Sequence, residues 1–84
     1  MSTARAQRET LDCVNAVREQ FATNLRRHRE HLGLTQDALA ESCGLHRTEI
    51  SLLERCRRSP QLETIVLLAR GLHVPPRDLI DGVD

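Results

Sequence analysis

Between Thr35 and Arg58 the chain reads TQDALAESCGLHRTEISLLERCRR, two short amphipathic segments divided by a single glycine. Leu39, Ala40, Leu45, Ile50 and Leu53 are spaced so that both segments, folded as helices, turn their apolar residues toward one core. Thr35 is placed to cap the first helix, because its hydroxyl can accept from backbone N–H groups left free over Gln36 to Ala38. Gly44, in the turn Cys43-Gly44-Leu45, permits the left-handed backbone needed where two helices meet at a steep angle. The remaining chain must supply the helices on which this unit rests.

Its 84 residues suffice for one domain with a modest core. The hydrophobic share is 39% with Phe21 the one aromatic, which points to aliphatic helix packing, and no alternating β-branched stretch suggests a sheet. An all-α fold is expected. Twelve Arg, with no Lys, balance 12 Asp and Glu, so the formal net charge of zero gives no global pull toward a polyanion. Distribution matters more than the sum. His46 to Arg58 holds four Arg against two Glu and Asn24 to Leu32 three Arg against one Glu, whereas Asp78, Asp81 and Asp84 make the end of the chain acidic.

Cys13, Cys43 and Cys56 are odd in number and lack CxxC spacing, which reads as free thiols in a reducing cytosol. No apolar run approaches a membrane span, and the N-terminus lacks the apolar core of a signal peptide. A soluble, cytoplasmic protein is expected.

Residues 1–9 are small and polar and are expected to form a flexible arm, followed by the folded domain over 10–84. From Thr10 to Leu32 there is neither Gly nor Pro, and Leu11, Val14, Val17, Phe21, Leu25 and Leu32 form one helical stripe. A helix there would be about 33 Å long at 1.5 Å per residue, longer than so small a core can cover. The upstream stripe of Leu11, Val14 and Val17 therefore needs either a partner subunit or the chain's own last helix. Gly33 should close this helix in a left-handed cap, with Leu34 anchoring the connection. Pro60 marks a loop before a fourth helix with apolar positions Leu62, Ile65, Val66, Leu68, Ala69 and Leu72, and Gly71 falls near its end. Pro75-Pro76 suits the entry to a short last helix carrying Leu79 and Ile80.

The stretch NLRRHREHLGLTQDALAESCGLHRTEISLLER resembles the Cro/repressor-like (XRE-type) family of helix-turn-helix transcriptional regulators, and SPQLETIVLLARGLHVPPRDLI resembles its fourth and fifth helices. The resemblance runs from about Asn24 to about Gly82. It implies a five-helix, lambda-repressor-like DNA-binding domain, here with an extended first helix and with the helix-turn-helix proper at about 35–55. It also implies that Arg29, four residues before Gly33, pairs with Glu54 to tie the first helix to the third. One position departs from the pattern. The family usually places Gly after Glu-Arg at the end of the third helix, and this chain has Cys56, so either the turn is built differently or it tolerates strain.

In such a domain the leading residues of the third helix meet base edges while the second helix crosses the backbone. Arg47, Thr48, Glu49, Ser51 and Leu52 are the expected base-reading residues. Arg47 can bond both acceptors of a guanine, Thr48 can give a hydroxyl bond or touch a thymine methyl, and Glu49 can accept from cytosine N4 or instead steer Arg47. Phosphate contacts are expected from Thr35 and Gln36 at the start of the second helix, from His46, and from Arg55, Arg57 and Arg58 beyond the third. Arg5 and Arg8 could reach DNA from the arm. One such helix meets few base pairs, so a homodimer reading an inverted repeat is expected, through the last helix or the N-terminal stripe.

His28, His31, Cys43 and His46 match no zinc spacing, and neither a metal nor a cofactor is expected. With no phosphate loop, no activated nucleophile and no carboxylate pair, the chain is not read as an enzyme. The rival to a regulator, a repressor among them, is an antitoxin-like module of the same fold whose main partner is another protein. Zero net charge and the extra N-terminal stripe keep that reading open.

Overall fold

A computed structural model describes residues 2–83, with side chains from position 15 onward. Five helices follow in order, α1 (Ser2–His31), α2 (Gln36–Cys43), α3 (Arg47–Glu54), α4 (Leu62–Leu72) and α5 (Pro76–Leu79), with no strand among the described residues. This is the all-α, five-helix order of the lambda-repressor-like fold.

Helix α1 is continuous because nothing in it breaks a helix, and it ends where Gly33 adopts φ +70°. There the Gly33 N–H donates to Glu30 O at 2.9 Å and the Leu34 N–H to Arg29 O at 3.1 Å, satisfying carbonyls the helix end would strand. His28, Arg29 and His31 place basic groups at the negative end of the helix dipole. The helix begins inside the segment expected as an arm, and the side chains of Arg5, Arg8, Leu11 and Val14 lie outside the described ones. Val17 is half-buried. Leu32, expected on the buried stripe, lies beyond the helix end and is 44% exposed, so α1 delivers Phe21 and Leu25 to the core instead.

At α2 the Thr35 hydroxyl accepts from the Ala38 N–H at 3.0 Å, and Gly44 closes the far end at φ +71°. The core joins Phe21 and Leu25 of α1, Leu39, Ala40 and Cys43 of α2, Ile50 and Leu53 of α3, Leu68, Ala69 and Leu72 of α4, and Leu79 of α5. Gly71, expected near the end of α4, is its next-to-last residue and lies against α2. A Cβ at Gly71 would lie 2.5 Å from Cys43 Sγ, so the missing side chain is what lets the two helices approach. His73 closes α4, in the left-handed region at φ 60°. Leu62 and Ile80, both read as apolar helix positions, are 73% and 47% exposed, because each stands at a helix margin with its side chain off the core.

The last segment is pinned to α1 by a buried polar group. Asn24 donates through Nδ2 to Leu79 O at 3.0 Å and to Asp81 O at 2.8 Å, while its Oδ1 accepts from Gln20 Nε2 at 3.1 Å. All three bonds are made by a side chain only 1% exposed, which offsets the cost of burying it.

Candidate nucleic-acid interface

Helix α3 has one buried face, Ile50, Leu53 and Glu54, and the opposite face is open. Arg47 and Thr48 are exposed at its leading end, and Glu49, Ser51 and Leu52 are half-buried. Arg47, Thr48 and Ser51 together line a shallow depression of about 170 Å³. His46 occupies the N-cap position without a capping side-chain bond, so its exposed imidazole is free at the end of the helix.

What holds α3 in this pose is the carboxylate at its other end. Glu54 is 4% exposed and accepts from Arg29 Nε at 2.6 Å, Arg29 Nη2 at 2.9 Å and Gln36 Nε2 at 3.2 Å. Arg26 adds longer bonds of 3.4 Å from Nε to Oε1 and from Nη2 to the Glu54 carbonyl. Arg29 Nη1 also donates to Leu34 O at 2.8 Å, so one guanidinium ties together α1, the linker before α2 and the end of α3. Burial alone would push the Glu54 carboxyl up, but hydrogen bonds from Arg29, Gln36 and Arg26 and the charge of Arg29 bring it below its ordinary value. The same bond holds the Arg29 guanidinium above its ordinary value against the opposing effect of burial.

Gln36, expected at a phosphate, donates one hydrogen of its Nε2 to Glu54 at 3.2 Å, and the amide carries a second. What α2 offers outward is the exposed Thr35, whose hydroxyl proton remains available, and the backbone N–H groups of its first turn. Beyond α3 the backbone turns sharply. The Cys56 N–H donates to Leu53 O at 3.2 Å, the Arg57 N–H to Leu52 O at 2.9 Å, and Cys56 itself takes φ 61°. The family's glycine geometry is thus kept with a cysteine, and the turn carries the strain. Arg55, Arg57 and Arg58 emerge exposed from this turn, and Ser59 Oγ accepts from Arg18 Nε of α1 at 2.8 Å.

Two acids alter the expected roles. Arg58 donates to Glu49, and Arg47 Nε lies 3.6 Å from Asp37 Oδ1. Glu49, expected either to accept from cytosine N4 or to steer Arg47, pairs with Arg58, because the turn at Cys56 brings the loop back beside α3. Asp37, Asn24 and Arg18 were not singled out from sequence. Gln20 apart, which bonds Asn24 within α1, their partners lie on other elements, at separations that no local pattern reveals.

A short helix packed by one face on α1 and α2, with hydroxyl and guanidinium groups exposed at its leading end, defines a helix-turn-helix domain of the kind built to enter a groove. The chain belongs to the helix-turn-helix family whose profile matches residues 25–79. Over 61 residues it is 41% identical to the control protein C.SmaI of Serratia marcescens, covering 73% of each chain. Over 68 residues it is 38% identical to the control protein C.BamHI of Bacillus amyloliquefaciens, covering 80% of this chain and 84% of that one. The crystal structure of the restriction-modification controller protein C.AhdI from Aeromonas hydrophila superposes with a TM-score of 0.74 at 38% identity, over 76% of this chain and 97% of that one. The controller C.Esp1396I, solved as a tetramer in complex with its natural 35 base-pair operator, gives a TM-score of 0.72 at 27% identity over 80% of this chain and 88% of that one.

Proposed function

We propose that this protein is a sequence-specific, double-stranded DNA-binding transcriptional regulator of the controller kind, acting as a homodimer on an inverted repeat. The observation that carries the reading is α3: its inner face is locked by Glu54, and Arg47, Thr48 and Ser51 stand open at its leading end. In this reading α3 lies in the major groove, Arg47 bonds a guanine, and Thr48, Ser51 and Leu52 complete the base contacts. Glu49 reaches a cytosine amine after leaving Arg58. Thr35, Gln36, the N–H groups of α2, His46, Arg55, Arg57 and Arg58 hold the flanking phosphates. Likeness to control proteins at 41% and 38% identity supports regulation of transcription over the toxin-binding alternative.

Selection of bound fragments from a random duplex pool at moderate salt tests the reading. Enrichment of a two-fold symmetric site, with half-sites about one helical turn apart, is the expected result. Recovery of unenriched sequence would remove it. With that site in hand, Arg47→Ala should lose about 1–3 kcal/mol at one base-pair position per half-site, whereas Arg57→Ala should weaken operator and random duplex alike and flatten the salt dependence by about one ion.

A further inference from the structure

The first turns of α2 and α3 each carry one carboxylate, Asp37 and Glu49, and each of these faces an arginine of the open surface. Asp37 stands 3.6 Å from Arg47, and Glu49 accepts from Arg58. The two pairs differ in setting: Arg47 and Asp37 are 66% and 74% exposed, while Glu49 is 21% exposed and correspondingly better held. Arg55 and Arg57 make no ion pair among the described residues. The basic surface is therefore divided into two cations already matched by acids and two that are not.

A carboxylate in the first turn of a helix sits in the electropositive field that also attracts phosphate. Each acid thus presents to its arginine the charge and the oxygen geometry that a DNA backbone would present, at the same helix end. Transfer of Arg47 or Arg58 from carboxylate to phosphate exchanges one anion for another and leaves an unpaired acid close to the duplex. On an arbitrary sequence nothing compensates that acid. On the correct sequence Arg47 gains two guanine acceptors and Glu49 gains the amine of a cytosine, so the exchange becomes favourable.

We propose that Asp37 and Glu49 are specificity determinants that hold Arg47 and Arg58 in intramolecular ion pairs and so suppress binding to duplexes of the wrong sequence. The proposal rests on the reading of α3 as the recognition helix. It works by penalising the wrong partner rather than by improving the right one. It also gives the net charge of zero a use, since the matched pairs leave the unmatched arginines to set attraction to any duplex.

The test measures affinity for the selected operator and for a random duplex across a salt series, with wild type, Asp37→Asn, Glu49→Gln, Arg58→Ala and Glu49→Gln/Arg58→Ala. Exposed ion pairs of this kind set the scale, and random-duplex affinity should rise about two- to fivefold for either acid variant, with a steeper salt dependence. Operator affinity should rise less for Asp37→Asn and fall for Glu49→Gln, so the ratio of the two affinities drops in both. The gain on random duplex from Glu49→Gln should shrink when it is measured in the Arg58→Ala background, because the cost of breaking the pair is gone and only the acid's repulsion of phosphate is left to relieve. An equal gain with and without Arg58 would reduce Glu49 to simple repulsion and overturn the pairing. An unchanged ratio in both acid variants would overturn the proposal while leaving the operator reading intact. Wild type that binds every duplex alike, or none, would overturn both.

Discussion

Single residues decide how firmly the third helix is held and how much strain its exit carries. Cys56 occupies the left-handed region at φ 61°, where a side chain costs about 1 kcal/mol relative to glycine. Cys56→Gly should therefore stabilise the fold by about 1 kcal/mol, seen as a higher urea midpoint with an unchanged denaturant slope. Arg29 is the opposite case. Arg29→Ala leaves the Glu54 charge buried with only Gln36 and the distant Arg26 bonds, and should cost about 3 kcal/mol. The Glu54 carboxyl titrates below its ordinary value in the folded chain, since its hydrogen bonds and the charge of Arg29 outweigh the upward push of burial. The unfolded chain consequently takes up that proton first as pH falls. The stabilisation is complete above the ordinary glutamate value of about 4.3 and is lost as pH drops from there through the lower folded value. Urea midpoints followed through that acid range should fall for wild type, and Glu54→Gln should start lower and lack this part of the slope.

At the level of elements, what could be read from sequence is what local chemistry decides. The Thr35 cap, the left-handed Gly33 and Gly44, and the proline entry to α5 each depend on residues within a few positions of one another, and each stands where the pattern put it. The Arg29 and Glu54 pairing is 25 positions long and was legible only because the chain resembles a known family. Asn24 was not legible at all. A polar residue on α1 looks like a solvent-facing position until α5 folds back and offers Leu79 O and Asp81 O. Gly71 stands near the end of α4 as expected, but its use was not legible, since only the nearness of Cys43 Sγ shows that it serves packing. Gly71→Ala should accordingly destabilise by about 1–3 kcal/mol through overpacking, despite alanine's better helix propensity. The cost should shrink when Cys43→Ala is added, since the double variant removes the sulfur that the new methyl meets. A double-mutant cycle on urea midpoints measures that coupling.

Taken whole, the molecule is a small core, with eleven buried apolar residues in one cluster among the described side chains, carrying a helix longer than the core requires. Its extents of 47 × 23 × 20 Å reflect that imbalance. A core of this size yields a modest folding free energy, and apolar side chains such as Ile80, 47% exposed on the segment after α5, gain most if a second copy covers them. The homodimer needed to read two half-sites would then also stabilise each subunit, because association removes folded monomer from the folding equilibrium. Unfolding midpoints should therefore rise with protein concentration, by about 1.4 kcal/mol per dimer, or about 0.7 kcal/mol per subunit, for each tenfold increase when dimerisation and folding are fully linked. Ile80→Asp places a charge on a surface that is already open to water in the monomer. If the last helix forms the interface, this variant should keep the low-concentration midpoint of wild type and lose the concentration dependence, together with binding to a symmetric operator but not the weak binding to a single half-site. If the upstream part of α1 forms the interface instead, Ile80→Asp should leave both the concentration dependence and operator affinity as they were, and sedimentation of the two proteins at matched concentrations distinguishes the cases directly.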